Sequence, residues 1–253
     1  MTTPAELFDL TGRVALVTGG SRGLGKAMVL AFAAAGADVV IASRKLDNCK
    51  ALADEVEATT GRRALAHACH VGDWKQVELL ADAAYEHFGH VDVLVNNAGM
   101  SPIYDSVANV SEELYDKVFA VNLKGPFRLT ALVGTRMAEG NGGSIINISS
   151  FGSMRPYGGI VPYAAAKAGL NTMTEAFAQA LGPKVRVNCI VPGTFYTDIS
   201  KAWDMDAIRE GAKRFALQRG GEPDEIVGAA LYFASDASSY TTGAVLSVHG
   251  GIP

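Results

Sequence analysis

The chain predicts an α/β fold, a doubly wound parallel sheet of seven strands with helices on both faces. Short apolar runs rich in β-branched residues alternate with helical stretches along all 253 residues, the pattern of parallel strands joined by crossover helices. Apolar residues make up 49% of the chain, enough to cover both faces of a buried sheet. A glycine-rich turn also follows directly on the first apolar run.

In order, residues 13–18 form the first strand, and the Ala-rich stretch 26–35 a helix stopped by Gly36. Strand 37–42 precedes helix 46–59, and strand 64–71 precedes helix 73–88. A fourth strand, 91–95, enters Asn96-Asn97-Ala98-Gly99, and a long helix spans 111–138. The fifth strand, 144–150, ends on Ser150, helix 161–181 carries Tyr163, and strands 185–191 and 244–248 complete the sheet. There is no repeat, low-complexity tract or linker, so one domain is expected over 1–253, with ligands held by loops at the strands' carboxyl ends.

Net charge is −4, which gives no basic surface for nucleic acid. The N-terminus lacks the charged and apolar segments of a secretory signal, and no uninterrupted apolar run reaches membrane-spanning length. Cys49, Cys69 and Cys189 are odd in number and far apart, so neither a disulfide framework nor a zinc site is expected. A reduced, cytoplasmic protein without metal, membrane or nucleic-acid partners is the economical expectation.

Two clusters carry chemistry. The first is Gly19-Gly20-Ser21-Arg22-Gly23-Leu24-Gly25, between a strand and a helix. Glycine lets the backbone approach a pyrophosphate, and the helix start offers unpaired N–H groups. By itself such a turn is equally a tight connection; the strand and helix around it point to a dinucleotide. The second is Ser150 with Tyr163-x-x-x-Lys167. The i, i+4 spacing sets the phenol and the ammonium on one helix face, and Ser150 stands at a strand's carboxyl end. A phenol titrates at about 10 when unperturbed, and a nearby ammonium would lower that value toward a useful acid/base. Alone, Tyr-x-x-x-Lys is also an ordinary exposed helical pair.

Together, Thr18-Gly19-x-x-x-Gly23-x-Gly25, Asn96-Asn97-Ala98-Gly99, Asn122, Ser150, Tyr163-x-x-x-Lys167 and Pro192-Gly193 make the chain resemble the short-chain dehydrogenase/reductase family in its single-domain, Rossmann-type form, from residue 10 to residue 251. The resemblance implies a carbonyl/alcohol oxidoreductase using a nicotinamide cofactor. Asn122, Ser150, Tyr163 and Lys167 would be catalytic, with Asn122 binding a water that links Lys167 to solvent. Gly19, Ser21, Arg22, Gly23, Leu24 and Gly25 would hold the pyrophosphate and its surroundings. Asn97, Ala98 and Gly99 would pass beside the adenosine ribose. Pro192, Gly193 and Thr194, with the backbone of Ile190 and Phe195, would lie near the nicotinamide carboxamide. Tyr163 and Lys167 would also touch the cofactor, Lys167 through the nicotinamide ribose. His70 and Val71 would flank the adenine, His70 standing where family members often carry Asp. Asn147, Ser149 and Cys189 are assigned to structure.

At the end of the second strand, NAD-preferring folds place an acid against the ribose 2′-hydroxyl. Here Ser43, Arg44 and Lys45 follow that strand, with Arg22 in the glycine turn. Guanidinium groups suit a 2′-phosphate, so NADP(H) is expected ahead of NAD(H).

Candidate substrate segments are 100–104, 151–160 and a lid at 194–217. The lid carries Phe195, Tyr196, Trp203 and Phe215 as an apolar wall. It sets Lys201, Arg209, Lys213 and Arg214 against Asp198, Asp204, Asp206 and Glu210, with no net charge preference. Arg155 is equally an anion-binding group and a surface charge. A 3-oxoacyl thioester on acyl carrier protein or coenzyme A is the leading substrate class, with a sugar or sugar acid as alternative. A silent nucleotide-binding module is a third reading, disfavoured by the intact four-residue set. The resemblance also implies a homotetramer built through 111–138, 161–181 and 244–253, the Ala- and Gly-rich Tyr163 helix permitting close approach.

Overall fold

The structure is a computed structural model that describes residues 3–197 and 205–253. Seven parallel strands lie in the order β3-β2-β1-β4-β5-β6-β7. These are β1 (Val14–Thr18), β2 (Asp38–Ser43), β3 (Ala64–Ala68), β4 (Val93–Asn96), β5 (Gly143–Ile148), β6 (Val185–Pro192) and β7 (Val245–Val248). The order reverses between β1 and β4, which opens a crevice at their carboxyl ends.

The helices are α1 (Pro4–Leu7), α2 (Gly23–Ala34), α3 (Leu46–Thr60), α4 (Trp74–Phe88), α5 (Glu112–Phe119), α6 (Gly125–Glu139), α7 (Val161–Leu181), α8 (Met205–Ala212) and α9 (Val227–Ala234). Alternate residues of β1 divide between two cores. Ala15 and Val17 join Met28, Phe32, Leu52, Val56 and Phe233 from α2, α3 and α9. Val14 and Leu16 join Leu80, Leu129, Val133 and Leu181 from α4, α6 and α7. The centre of the sheet is therefore dry on both faces, and β1 is buried at every position.

Four expectations need correction. The helix expected over 111–138 is interrupted by a π-helical turn, Ala120–Lys124, between α5 and α6. Strand β3 stops at Ala68 instead of running to Val71, because the Gln76 side chain takes the His70 N–H at 2.8 Å and turns the chain into α4. Helix α2 begins inside the glycine turn, at Gly23 and not at residue 26. Helices α8 and α9 went unread from the sequence; α9 is apolar on nearly every side and so has no 3.6-residue period to detect.

Candidate active site

The glycine turn leaves the end of β1 and enters α2. Gly19 and Gly23 have φ of 62° and 52°, the left-handed region that a side chain opposes. A Cβ on Gly25 would stand 2.2 Å from the Gly19 carbonyl oxygen, so glycine is required there for packing. No side chain caps the start of α2, which leaves its first N–H groups facing the crevice. Asn97 braces this turn: its Nδ2 donates to the carbonyls of Thr18 (2.9 Å) and Gly19 (3.1 Å). Thr18 Oγ1 in turn accepts the N–H groups of Asn97 and Ala98. The Asn97 side chain, expected beside a ribose, is thus occupied in holding the glycine turn. Thr18, quoted only as part of a motif, is what couples β1 to the segment after β4.

At the end of β5, Ser150 Oγ accepts the Gly152 N–H at 3.2 Å and starts a short 3-10 turn, Phe151–Ser153. Tyr163 and Lys167 lie one turn apart on α7, with the Lys167 ammonium nitrogen 5.9 Å from the Tyr163 ring centroid. Lys167 is 3% exposed, and its ammonium donates to the Ile148 carbonyl at 2.7 Å. Burial pushes its pKa down to about 8, opposed weakly by the nearby Cys189. Burial also pushes the Tyr163 phenol above its ordinary value, with the Ser150 hydroxyl pulling it back down in part. The phenol is thus raised where a lowering by Lys167 was expected, because desolvation is the largest influence on both groups.

The π-helical turn holds Asn122. Its Nδ2 donates to the Val118 carbonyl at 2.9 Å, a place that a backbone N–H fills in an α-helix, and to the Met100 carbonyl at 2.8 Å. Its Oδ1 accepts the Met100 N–H. Asn122 therefore ties the segment after β4 to the helix. A Cβ built on Gly99 would lie 3.0 Å from Asn122 Oδ1 and 3.6 Å from Lys167 Nζ. Gly99 thus stands beside both Asn122 and Lys167, and its lack of a side chain leaves the space next to Asn122 Oδ1 open.

The remaining candidates divide into two groups. Ser43 Oγ accepts the Ser21 hydroxyl at 3.0 Å and contacts Cys49 Sγ. Beside them Arg22 and Arg44 are exposed, and neither forms an ion pair among the described residues. His70 is engaged locally, its Nδ1 accepting the Gly72 N–H at 3.2 Å, and Val71 is buried. Gly193 packs on His249 and donates its N–H to Val248. Ile190 lies within β6 with its carbonyl taken by the Ser149 N–H, so its backbone belongs to the sheet. Phe195, expected in the lid wall, is instead a core residue at 8% exposure packed on Gly221.

Tyr196 and Gly221 pair by backbone hydrogen bonding, and Ala216 and Leu217 pair with Gly251 and Gly250, so both ends of the 194–217 excursion are anchored. Asp198, Lys201, Trp203 and Asp204 lie outside the described residues. Asn147 is structural as expected, in a buried chain of hydrogen bonds from Thr130 through Asn96 and Asn147 to Thr174. Thr130 and Thr174 went unremarked in the sequence, although a Thr on the apolar face of a helix is the signal for such a bond. A narrow, mainly apolar crevice beside Tyr163 is lined by Pro102, Tyr104, Leu114, Val118 and Pro162. Of these, Leu114, Val118 and Pro162 fell outside the expected substrate segments.

Strand order, glycine turn and the Ser150, Tyr163, Lys167 cluster together define a dinucleotide-dependent oxidoreductase fold. Residues 19–253 match the family model described as enoyl-(acyl carrier protein) reductase. A 3-oxoacyl-(acyl-carrier-protein) reductase, FabG, of Thermotoga maritima is 37% identical, with 96% of this chain and 98% of that protein covered. L-rhamnose 1-dehydrogenase (NAD(P)(+)) of Azotobacter vinelandii is 40% identical, with 96% and 97% covered. Among solved structures, a putative NAD(P)-dependent gluconate 5-dehydrogenase from Beutenbergia cavernae with bound NADP superimposes with a TM-score of 0.91 at 35% identity, covering 97% of this chain and 98% of that one. The chain belongs to the short-chain dehydrogenase/reductase family. It is an oxidoreductase that acts on alcohol and carbonyl groups with a nicotinamide cofactor.

Proposed function

We propose that the chain is a single-domain, NADP(H)-preferring ketoreductase of 3-oxoacyl thioesters carried on acyl carrier protein or coenzyme A, with NAD(H) as the weaker cofactor. The observation that carries the reaction type is the convergence of Ser150, Tyr163 and the buried Lys167 at the carboxyl end of β5. Substrate class is supported by the FabG relative. A sugar or sugar-acid substrate is the second reading, supported by the L-rhamnose relative and by the gluconate dehydrogenase fold.

The residues present fit a phosphorylated dinucleotide. The start of α2 is uncapped, glycine is enforced at residues 19, 23 and 25, and Arg22 and Arg44, without an ion pair among the described residues, follow Ser21 and Ser43 in sequence. Residues 19–25, 43–44, 70–71, 97–99 and 192–195 would hold the cofactor, together with Lys167 at the nicotinamide ribose. When bound, the nicotinamide supplies or accepts the hydride. Ser150 and Tyr163 donate hydrogen bonds to the substrate carbonyl oxygen, which polarises its carbon. Tyr163 Oη then passes its proton to the oxygen as negative charge develops, and takes it back in alcohol oxidation. Lys167 replenishes that proton, and Asn122 would bind a water that links Lys167 to solvent.

Replacing Tyr163 by Phe removes the proton donor and keeps the ring. Turnover of an accepted ketone with NADPH should fall by roughly 10²–10⁴-fold, the usual contribution of a general acid. NADPH binding, followed by fluorescence, should be nearly unchanged. A Phe variant that reduces the ketone at the wild-type rate would refute the assignment. A turnover screen across 3-oxoacyl thioesters and sugars separates the two substrate readings.

A further inference from the structure

Tyr163 is the third residue of α7, in the first turn, where backbone N–H groups have no partner within the helix. Helix α7 has no cap of its own, since Ile160 at the N-cap makes no side-chain hydrogen bond. Pro162, at the second position, lacks one of the N–H groups. The N–H of Val161 is bonded from outside the helix. The phenolic oxygen of Tyr104, on the segment after β4, accepts it at 2.7 Å. The same hydroxyl donates its proton to the Gly158 carbonyl at 2.8 Å. One hydroxyl thus spans the turn Gly158–Ile160 and the first residue of α7, from a position 57 residues away in sequence. The Tyr104 side chain also lines the crevice that Tyr163 borders, with Pro102 and Pro162.

We propose that Tyr104 is a positioning residue for Tyr163, capping the helix that carries the phenol and holding its first turn against Ser150. The proposal rests on the reading of Tyr163 as the proton donor. First turns fray when a cap is lost, and a lost cap typically shifts the local equilibrium by about five- to tenfold. A frayed turn moves the phenol off its reacting geometry without touching the glycine turn at the far side of the sheet's switch point. It also loosens the contact with Ser150 that favours the ionised phenol.

Tyr104→Phe removes the hydroxyl alone, and Tyr240→Phe, at a fully exposed tyrosine, is the control. With any ketone the unmodified enzyme reduces, kcat of Tyr104→Phe should fall about tenfold while the KM for NADPH stays constant. In alcohol oxidation, the limb of the pH–rate profile that reports phenol ionisation should move to higher pH. Amide exchange at Val161, Tyr163 and Ala164 should quicken, with the sheet unaffected. A wild-type kcat and pH profile would overturn the proposal, as would faster exchange throughout the sheet, which signals general loosening. Tyr163→Phe is assayed in parallel. If it stays active, the underlying acid/base reading fails; if it is inactive while Tyr104→Phe behaves as wild type, the cap alone fails.

Discussion

Lys167 is the residue whose environment departs furthest from what its type prefers. An ammonium at 3% exposure, held by the Ile148 carbonyl and facing no carboxylate, carries a desolvation cost that folding must offset. The cost appears as a folded-state pKa of about 8 against an ordinary 10.5. Below about pH 8 both folded and unfolded states are protonated, and the penalty is fully present. Between about 8 and 10.5 the unfolded chain binds more protons, so this residue's contribution to stability improves as pH rises. Lys167→Met should therefore abolish turnover and yet stabilise the fold at pH 7, by on the order of a few kcal/mol. The difference from wild type in urea melts should shrink as pH is raised from 8 toward 10. A difference that stays flat over that range would mean that the ammonium is well solvated.

Among elements, the end of β2 and the start of α2 form one unit. Ser21 and Ser43 are joined by a hydrogen bond, and Arg22 and Arg44 extend from either side of them. The arrangement suits an anion: two hydroxyls near an uncapped helix start, with guanidinium groups that no carboxylate competes for among the described residues. If this unit reads a 2′-phosphate, Arg44→Ala should weaken NADPH by about ten- to a hundredfold, the usual loss for one charge-assisted contact, and leave NADH nearly unchanged. Titration of both cofactors against both proteins checks this, and equal affinities in the unmodified protein would end the NADP(H) assignment. The π-helical turn at Asn122 is a comparable device. One side chain replaces a backbone donor, and the helix bends its pattern to deliver an amide to Met100 and the open space beside Gly99.

For the whole molecule, two of the exposed apolar regions of the described surface bear on assembly. Strand β7 is a sheet edge with Leu246 at 39% exposure, and Tyr240 just before it is fully exposed. An open edge of this kind invites pairing with another chain. On another part of the surface, Phe127 of α6 is 44% exposed and packs near Trp74 and Phe177. On α7, Ala164 and Ala166 are spent on the core, whereas Ala165 and Ala168 face outward and leave a smooth helical face. Two separate regions fit two different symmetry axes and hence the proposed homotetramer. Light scattering at micromolar concentration should return four chain masses; a single chain mass would exclude it. Among the described residues no helix is long and apolar enough to cross a membrane, and a cytoplasmic location remains our proposal.

Much of this was determined by the sequence itself. Strand-length β-branched runs and the glycine spacing at 19, 23 and 25 are local patterns, because backbone conformation and side-chain period act over a few residues. The i, i+4 pair Tyr163 and Lys167 was legible for the same reason. What depended on distant partners was decided only in the tertiary structure. Burial raises the Tyr163 phenol where spacing alone suggested a lowering, since desolvation is set by everything packed around a group and not by its spacing from another. Asn97 turns to the glycine turn, Phe195 enters the core, and the long helix passes through a π-helical turn at Asn122, whose amide serves both Met100 and Val118. The Tyr104 cap joins residues 57 positions apart, and no local pattern encodes a hydrogen bond across that distance.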